Sequence, residues 1–301
     1  VTGVQTCALP ILNLCEVLNA SMLKEERLER IISLVMRRNA AEEPLTRIYA
    51  GSSFCSQYFL HINWWEPLLA SCREHRWKMT LTLPVFSQKD LKKGKERIGD
   101  ILVSGADVID EITVNDVGML LYISGECTRK INLGRLFFKD ARDVRVRDYD
   151  EGIMTPNLLT SRDSLPADWS RIHGIELDRM SREIDLTDCP LEGMVLGLHG
   201  PFCYMSTGNI CKFASIHKKT EYKFRPNTPC AMECAGIYEH YRARFDGRDT
   251  DVIRFGRTIY YLKNDSRVIG KTVNRTIYFP VREAGEVMRG GDRHESTGSA
   301  Q

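Results

Sequence analysis

Nowhere does the sequence hold the run of about 18 apolar residues that a bilayer-crossing helix needs, so no membrane insertion is expected. Charge of one sign is also missing. Lys and Arg number 42 against 40 Asp and Glu, and a formal net charge of +2 gives no global attraction to nucleic acid, so any such contact has to come from a local patch. No G-x-G-x-x-G follows an apolar run, which removes the dinucleotide-binding turn. Neither an H-E-x-x-H helix nor a G-x-S-x-G elbow is present, which removes two common hydrolase sites. There is no internal repeat. The N-terminus has neither the basic region nor the long apolar stretch of a signal peptide. The expected compartment is therefore the cytoplasm, where thiols stay reduced.

Cysteine, by contrast, is plentiful, with 10 in 301 residues. Cys203, Cys211, Cys230 and Cys234 follow the pattern C-x7-C-x18-C-x3-C; the first comes after a His199-Gly200 turn and the last two are framed by Pro229 and Gly236. In a reducing compartment such clustering points to metal or redox chemistry rather than to structural disulfides. Cys230-x3-Cys234 has the pair spacing of a zinc knuckle. The wide gap from Cys211 to Cys230 suits thiolates that converge from several segments on an iron–sulfur cluster. Spacing alone leaves the two equal. Cys15, Cys72, Cys127 and Cys189 stand alone and read as small core residues.

Apolar residues make up 43% and charged residues 27%, an ordinary globular mixture for one large domain or two modest ones. Strand-like and helix-like runs alternate through the first two thirds. Residues 21–38 have helical spacing with Ser21 as N-cap. Strands are expected at 47–50, stopped by Gly51, then at 78–85, 108–114 and 130–133, and late at 193–198. An amphipathic segment at 64–72 and helices at 88–103 and 117–124 lie between them. Such alternation over short connections indicates an α/β fold with a parallel sheet. With no dinucleotide turn, a TIM-barrel-like (β/α) barrel or partial barrel is the expectation. Its functional groups would stand at the C-terminal strand ends, where Gly51, Asn115-Asp116, Gly134-Arg135 and His199-Gly200 fall. The expected domains are a barrel over 21–248 and a small antiparallel β-rich extension over 249–289, built from 251–262 and 275–280. A polar, glycine-rich tail expected to be disordered follows over 290–301. Residues 1–20 are left unassigned, because 1–11 resemble the translated remnant of a sequencing adaptor. Cys7 is set aside with them.

The segment from His199 to Cys211 (HGPFCYMSTGNIC), followed by Cys230-x3-Cys234, resembles the signature region of peptidase family U32, closest to its UbiU/UbiV-type iron–sulfur branch. Shorter matches agree: 112–118 (ITVNDVG), Gly134-Arg135, 174–177 (GIEL) and 48–55 (IYAGSSFC). The resemblance covers about residues 45 to 262. It departs from the family where Asn209-Ile210 replaces the usual Arg before the second cysteine. What it implies is a barrel carrying a [4Fe–4S] cluster, with zinc as the alternative. It also implies oxygen-independent hydroxylation, or a related redox modification, of a small aromatic in ubiquinone-like synthesis or of an RNA base. Cys211, Cys230 and Cys234 match three ligand positions, and Cys55 is favoured for the fourth, with Cys203 as the alternative. Two other readings stand beside this one. One is a non-catalytic subunit with a structural cluster, binding a lipid intermediate or a paralogous U32 partner. The other is the peptidase that the family name suggests.

Asn115, Arg135 and His199 are the candidate substrate-binding residues, with Asp116 and Glu176 as acid or base groups at the barrel mouth. Arg135 suits a bidentate grip on a carboxylate, or an internal pair with Asp140 or Asp143. Asn115-Asp116 also reads as a turn and helix cap. The run 212–225 (KFASIHKKTEYKFR) interleaves basic and aromatic residues, as a single-stranded RNA contact would, though a solvated loop explains it as well. Residues 89–97 read as the wet face of a helix. The remaining histidines show no ligand-type spacing.

Overall fold

In the computed structural model, the described residues are 10–15, 27–38, 45–138, 153–160, 163, 165, 168–180, 182–226, 230–234, 239–245, 248–264 and 267–291. The strands in chain order are β1 (Pro10–Asn13), β2 (Arg47–Gly51), β3 (Lys78–Thr82), β4 (Ile109–Val114), β5 (Lys130–Leu133), β6 (Ile153–Met154), β7 (Ile172–Asp178), β8 (Glu183–Asp185), β9 (Val195–Gly200), β10 (Phe202–Thr207), β11 (Glu239–Phe245), β12 (Arg248–Phe255), β13 (Thr258–Leu262), β14 (Val268–Ile269) and β15 (Arg275–Tyr278). The helices are α1 (Arg27–Arg38), α2 (Ser56–His61), α3 (Trp65–His75), α4 (Leu91–Ser104), α5 (Val117–Glu126), α6 (Asn157–Thr160) and α7 (Val281–Gly291).

Eight strands close into a parallel barrel in the order β1-β15-β9-β7-β5-β4-β3-β2. Each strand alternates between two environments, as the two-residue period requires. One set, including Ile48, Met79, Leu81, Ile112, Val114, Ile131, Leu133, Ile175 and Leu177, packs under the helices in the large core. The other set faces inward, where Ile11, Cys15, Tyr49 and Ile277 form a small apolar cluster among the described residues. The rest of the interior is polar. The helices present their apolar stripes to the outer layer: α1 through Leu28, Ile31 and Val35, and α3 through Trp65, Leu68, Leu69 and Cys72.

Where a helix would follow β9, the chain instead builds a four-stranded antiparallel sheet in the order β10-β13-β12-β11. This sheet and the cysteine-bearing loops therefore leave the barrel from the C-terminal end of β9. A second small sheet, β14-β8-β6, is also outside the barrel.

The strand pairings change the reading of individual runs. Arg275–Tyr278 is not part of an antiparallel addition; it pairs parallel with β1 and β9 and closes the barrel. Composition marks that run as β-type but carries no sign of strand direction, and Arg275 makes a buried strand look like an edge. Pro10 and Ile11, set aside with the opening segment, lie in β1, which pairs with both β2 and β15. The antiparallel sheet begins at Phe202, so a cut at 248/249 would divide the β11–β12 hairpin. Ser21, Cys7, Asp140, Asp143, Pro229, Gly236 and the tail beyond 291 lie outside the described residues.

Candidate metal centre and barrel interior

Cys55, Cys211, Cys230 and Cys234 line one cavity together with Gln57, Tyr58, Asn209, Ala214, Met232, Gly256 and Arg257. All four are half-buried. Cys55 reaches the cavity because β2 ends at Gly51, whose φ of +116° turns the chain. A Cβ at Gly51 would stand 2.3 Å from the Thr82 carbonyl oxygen. The Ser52 hydroxyl oxygen then accepts from the Phe54 and Cys55 amides at 3.2 and 2.8 Å, forming a tight turn. Cys55 caps α2, its sulfur accepting from the Tyr58 N–H at 3.4 Å. The left-handed backbone of Met232 (φ 63°) directs its N–H to the Cys230 sulfur at 3.3 Å. Amide donors of this kind favour a sulfur that carries negative charge.

Burial pushes the Cys234 thiol up to about 12, and crowding by Cys55, Cys230 and Cys211 adds to the rise. Cys230 is pushed up to about 11, again first by burial. Cys230 and Cys234 therefore stay protonated at neutral pH unless a cation joins them, which is what a metal supplies. Among the described residues, no three His, Cys, Asp or Glu side chains are gathered tightly enough to hold a single ion as they stand. The donor set suits a soft metal: it is all sulfur, drawn from the loop after β2, the loop after β10 and the Cys230–Cys234 turn.

Cys203 is placed elsewhere. It is fully buried on β10 with Val252 and Tyr261, and its sulfur faces the carbonyls of His199 and Pro201 at 4.0 and 3.9 Å. It does not line the cavity.

The β12–β13 hairpin, which carries no cysteine, also reaches the cavity. Gly256 sits at its tip with φ +50°, and a Cβ there would stand 3.8 Å from the Cys234 sulfur. Arg257 donates from Nε to the Phe54 carbonyl at 2.9 Å, and from Nη2 to the same oxygen. Its Nη1 faces the Asn209 side-chain oxygen at 3.5 Å. Sequence reasoning missed Gly256 and Arg257, because neither lies near a cysteine in the chain. The Gly-Arg turn between two β-type runs was the available signal.

The barrel interior holds two polar layers. In the lower one Arg275 grips the wholly buried Glu111 with two hydrogen bonds of 2.6 and 2.7 Å. Arg47 adds an ion pair at 3.4 Å, and Asn132 donates at 3.0 Å. Burial alone would raise the Glu111 carboxyl, but Arg275 and Arg47 outweigh it and hold it at about 2. In the upper layer Thr113 donates to Glu176 at 2.6 Å, and the His199 ring meets the other carboxyl oxygen at 3.0 Å. The Asn13 side-chain amide nitrogen approaches the second ring nitrogen, Nδ1, at 3.5 Å. Burial raises Glu176 to about 7 and holds His199 well below its ordinary value, so at neutral pH the imidazole is uncharged and the acid stands near the midpoint of its titration. The signal for Glu111 was a second acidic residue, after Asp110, inside an otherwise apolar run, and for Arg275 a charge opening a short β-type run.

Arg135 is buried and pairs with Asp178 at 3.2 Å, donates to the Ser53 hydroxyl at 3.1 Å and lies over the Phe54 ring at 4.8 Å. It thus bridges the interior to the loop that carries Cys55. Of the expected mouth residues, Arg135, Glu176 and His199 come together. Asn115 and Asp116 do not join them. Asn115 donates to the Leu83 carbonyl at 3.0 Å, and Asp116 caps α5 by accepting from the Met119 N–H at 2.9 Å. In the 212–225 run Phe213 is buried, while Ile216, Tyr222 and Phe224 are exposed.

Compared with known proteins, the chain matches no family model, no curated protein and no solved structure. Among the described residues no helix is long and apolar enough to cross a membrane.

Proposed function

We propose that Cys55, Cys211, Cys230 and Cys234 hold an iron–sulfur cluster at the C-terminal end of a TIM-barrel-like domain, in a protein similar to the U32 family. One observation carries this reading: four cysteines, up to 179 residues apart in sequence, line a single cavity. A cluster of this type supplies one-electron transfer or an open iron site. The amide donors to Cys55 and Cys230 would stabilise thiolate ligands, and Arg257 would balance their charge. The proposed activity is oxygen-independent hydroxylation, or a related redox modification, of a small aromatic or an RNA base. The exposed basic and aromatic residues of 212–225, beside the thiols, suit the second substrate. Zinc is the competing occupant.

One observation favours a second reading. Glu176, His199, Arg135 and Asp178 are each 3% exposed or less and engage one another. A closed interior of this kind suits a non-catalytic subunit whose cluster is structural and whose partner is a paralogous chain.

Anaerobic purification followed by visible spectroscopy and analysis of iron, sulfide and zinc tests the central proposal. A brown protein with iron and sulfide is expected. A colourless protein containing stoichiometric zinc would replace the cluster with a zinc site.

A further inference from the structure

The cavity draws its cysteines from segments that share no regular element, so something has to set the distance between Cys55 and the other three. Backbone hydrogen bonds fix Cys55 within its own turn and Cys230 within its own. Neither set crosses the cavity. Contacts that link the segments come from the tip of the β12–β13 hairpin. Gly256 abuts Cys234, and its missing side chain allows the approach. Arg257 places two donors on the carbonyl of Phe54, the residue preceding Cys55, and turns its third nitrogen to Asn209, two residues before Cys211. The hairpin is itself held to β10, with Thr258 and Thr207 hydroxyls 3.2 Å apart. A planar guanidinium suits this task, because its fork meets two acceptors in fixed directions that a lysine cannot match.

We infer that Arg257 is the positioning residue of the four-thiol site, holding Cys55 within reach of Cys234 and Cys211 and adding a fixed positive charge to the cavity wall. The inference rests on the reading that the four thiols form one site. Its test is separable from that reading, because positioning can be measured in the metal-free chain. Dibromobimane, which bridges neighbouring thiols, is applied to the full-length metal-free protein, and bridged peptides are quantified by mass. Wild type is expected to yield both Cys55–Cys234 and Cys230–Cys234 bridges. Arg257→Ala is expected to lower the first about tenfold, the scale set by losing charge-assisted hydrogen bonds, and to leave the second unchanged. A second readout separates charge from scaffolding. After reconstitution with iron and sulfide, Arg257→Gln is expected to lower the midpoint potential, while Arg257→Lys keeps it near wild type.

Equal Cys55–Cys234 bridging in wild type and Arg257→Ala overturns the inference. So does a parallel loss of both bridges, or an unchanged potential in Arg257→Gln. Absence of a Cys55–Cys234 bridge in wild type would instead sink the four-thiol reading itself.

Discussion

Glu176 and Glu111 are two carboxyls in one barrel whose surroundings drive them in opposite directions. Burial outweighs the Thr113 hydrogen bond and the charge of Arg135 at Glu176 and holds it at about 7 against an ordinary 4.5. Between those values the folded chain keeps a proton that the unfolded chain has released. Stability therefore falls as pH rises through this window and levels off above it. Glu176→Gln should remove that slope, a difference of roughly 3 kcal/mol between pH 4.5 and 8. Urea unfolding at the two pH values checks this, and an identical slope in both proteins would contradict it. Glu111, held at about 2 by Arg275 and Arg47, behaves in the reverse sense: its stabilisation is present above 4.5 and is lost as pH falls toward 2. Glu111→Gln leaves two arginines partly buried without their common carboxylate. It should cost about 3–5 kcal/mol at pH 7, read as a lower urea midpoint at unchanged slope.

Asp116 shows how one sequence motif supports two readings that only the element resolves. Asn-Asp after a strand fits a substrate contact and a helix cap equally well, and here the carboxylate closes the first turn of α5. Asp116→Ala should therefore cost about 1 kcal/mol of stability and leave metal content and turnover unchanged. A large loss of turnover at wild-type stability would return Asp116 to the site. The barrel strands β2 to β5 and the helices α3 to α5 were legible because apolar runs alternate there with turn residues, whereas the short α2 (Ser56–His61) was not read. Arg275–Tyr278 was not: its closing role depends on a partner strand more than 250 residues away, and four residues carry no sign of parallel or antiparallel pairing. The hairpin bearing Arg257 was hidden for a related reason. Its link to Cys55 spans about 200 residues and leaves no local pattern.

For the molecule as a whole, the barrel and the antiparallel sheet divide the work of building the thiol cavity. The barrel brings Cys55 to the end of β2. The sheet that replaces a helix after β9 brings Cys211, Cys230 and Cys234 to the same place and supplies Arg257. In sequence, the three later cysteines were visible as a cluster, whereas the choice between Cys55 and Cys203 rested on resemblance alone. The geometry separates them physically, with Cys55 on the cavity wall and Cys203 packed among Val252 and Tyr261. A metal bound only by the folded chain also stabilises it by mass action, so anaerobic removal by a chelator should lower the thermal midpoint.

The most direct measurement is the iron and sulfide content of anaerobically reconstituted chains in which Cys55, Cys203, Cys211, Cys230 and Cys234 are each replaced by Ala. The account predicts that the Cys203 variant retains iron and sulfide like wild type, while each of the other four loses most of its cluster. Full retention by the Cys55 variant, or loss by the Cys203 variant at wild-type stability, would contradict it.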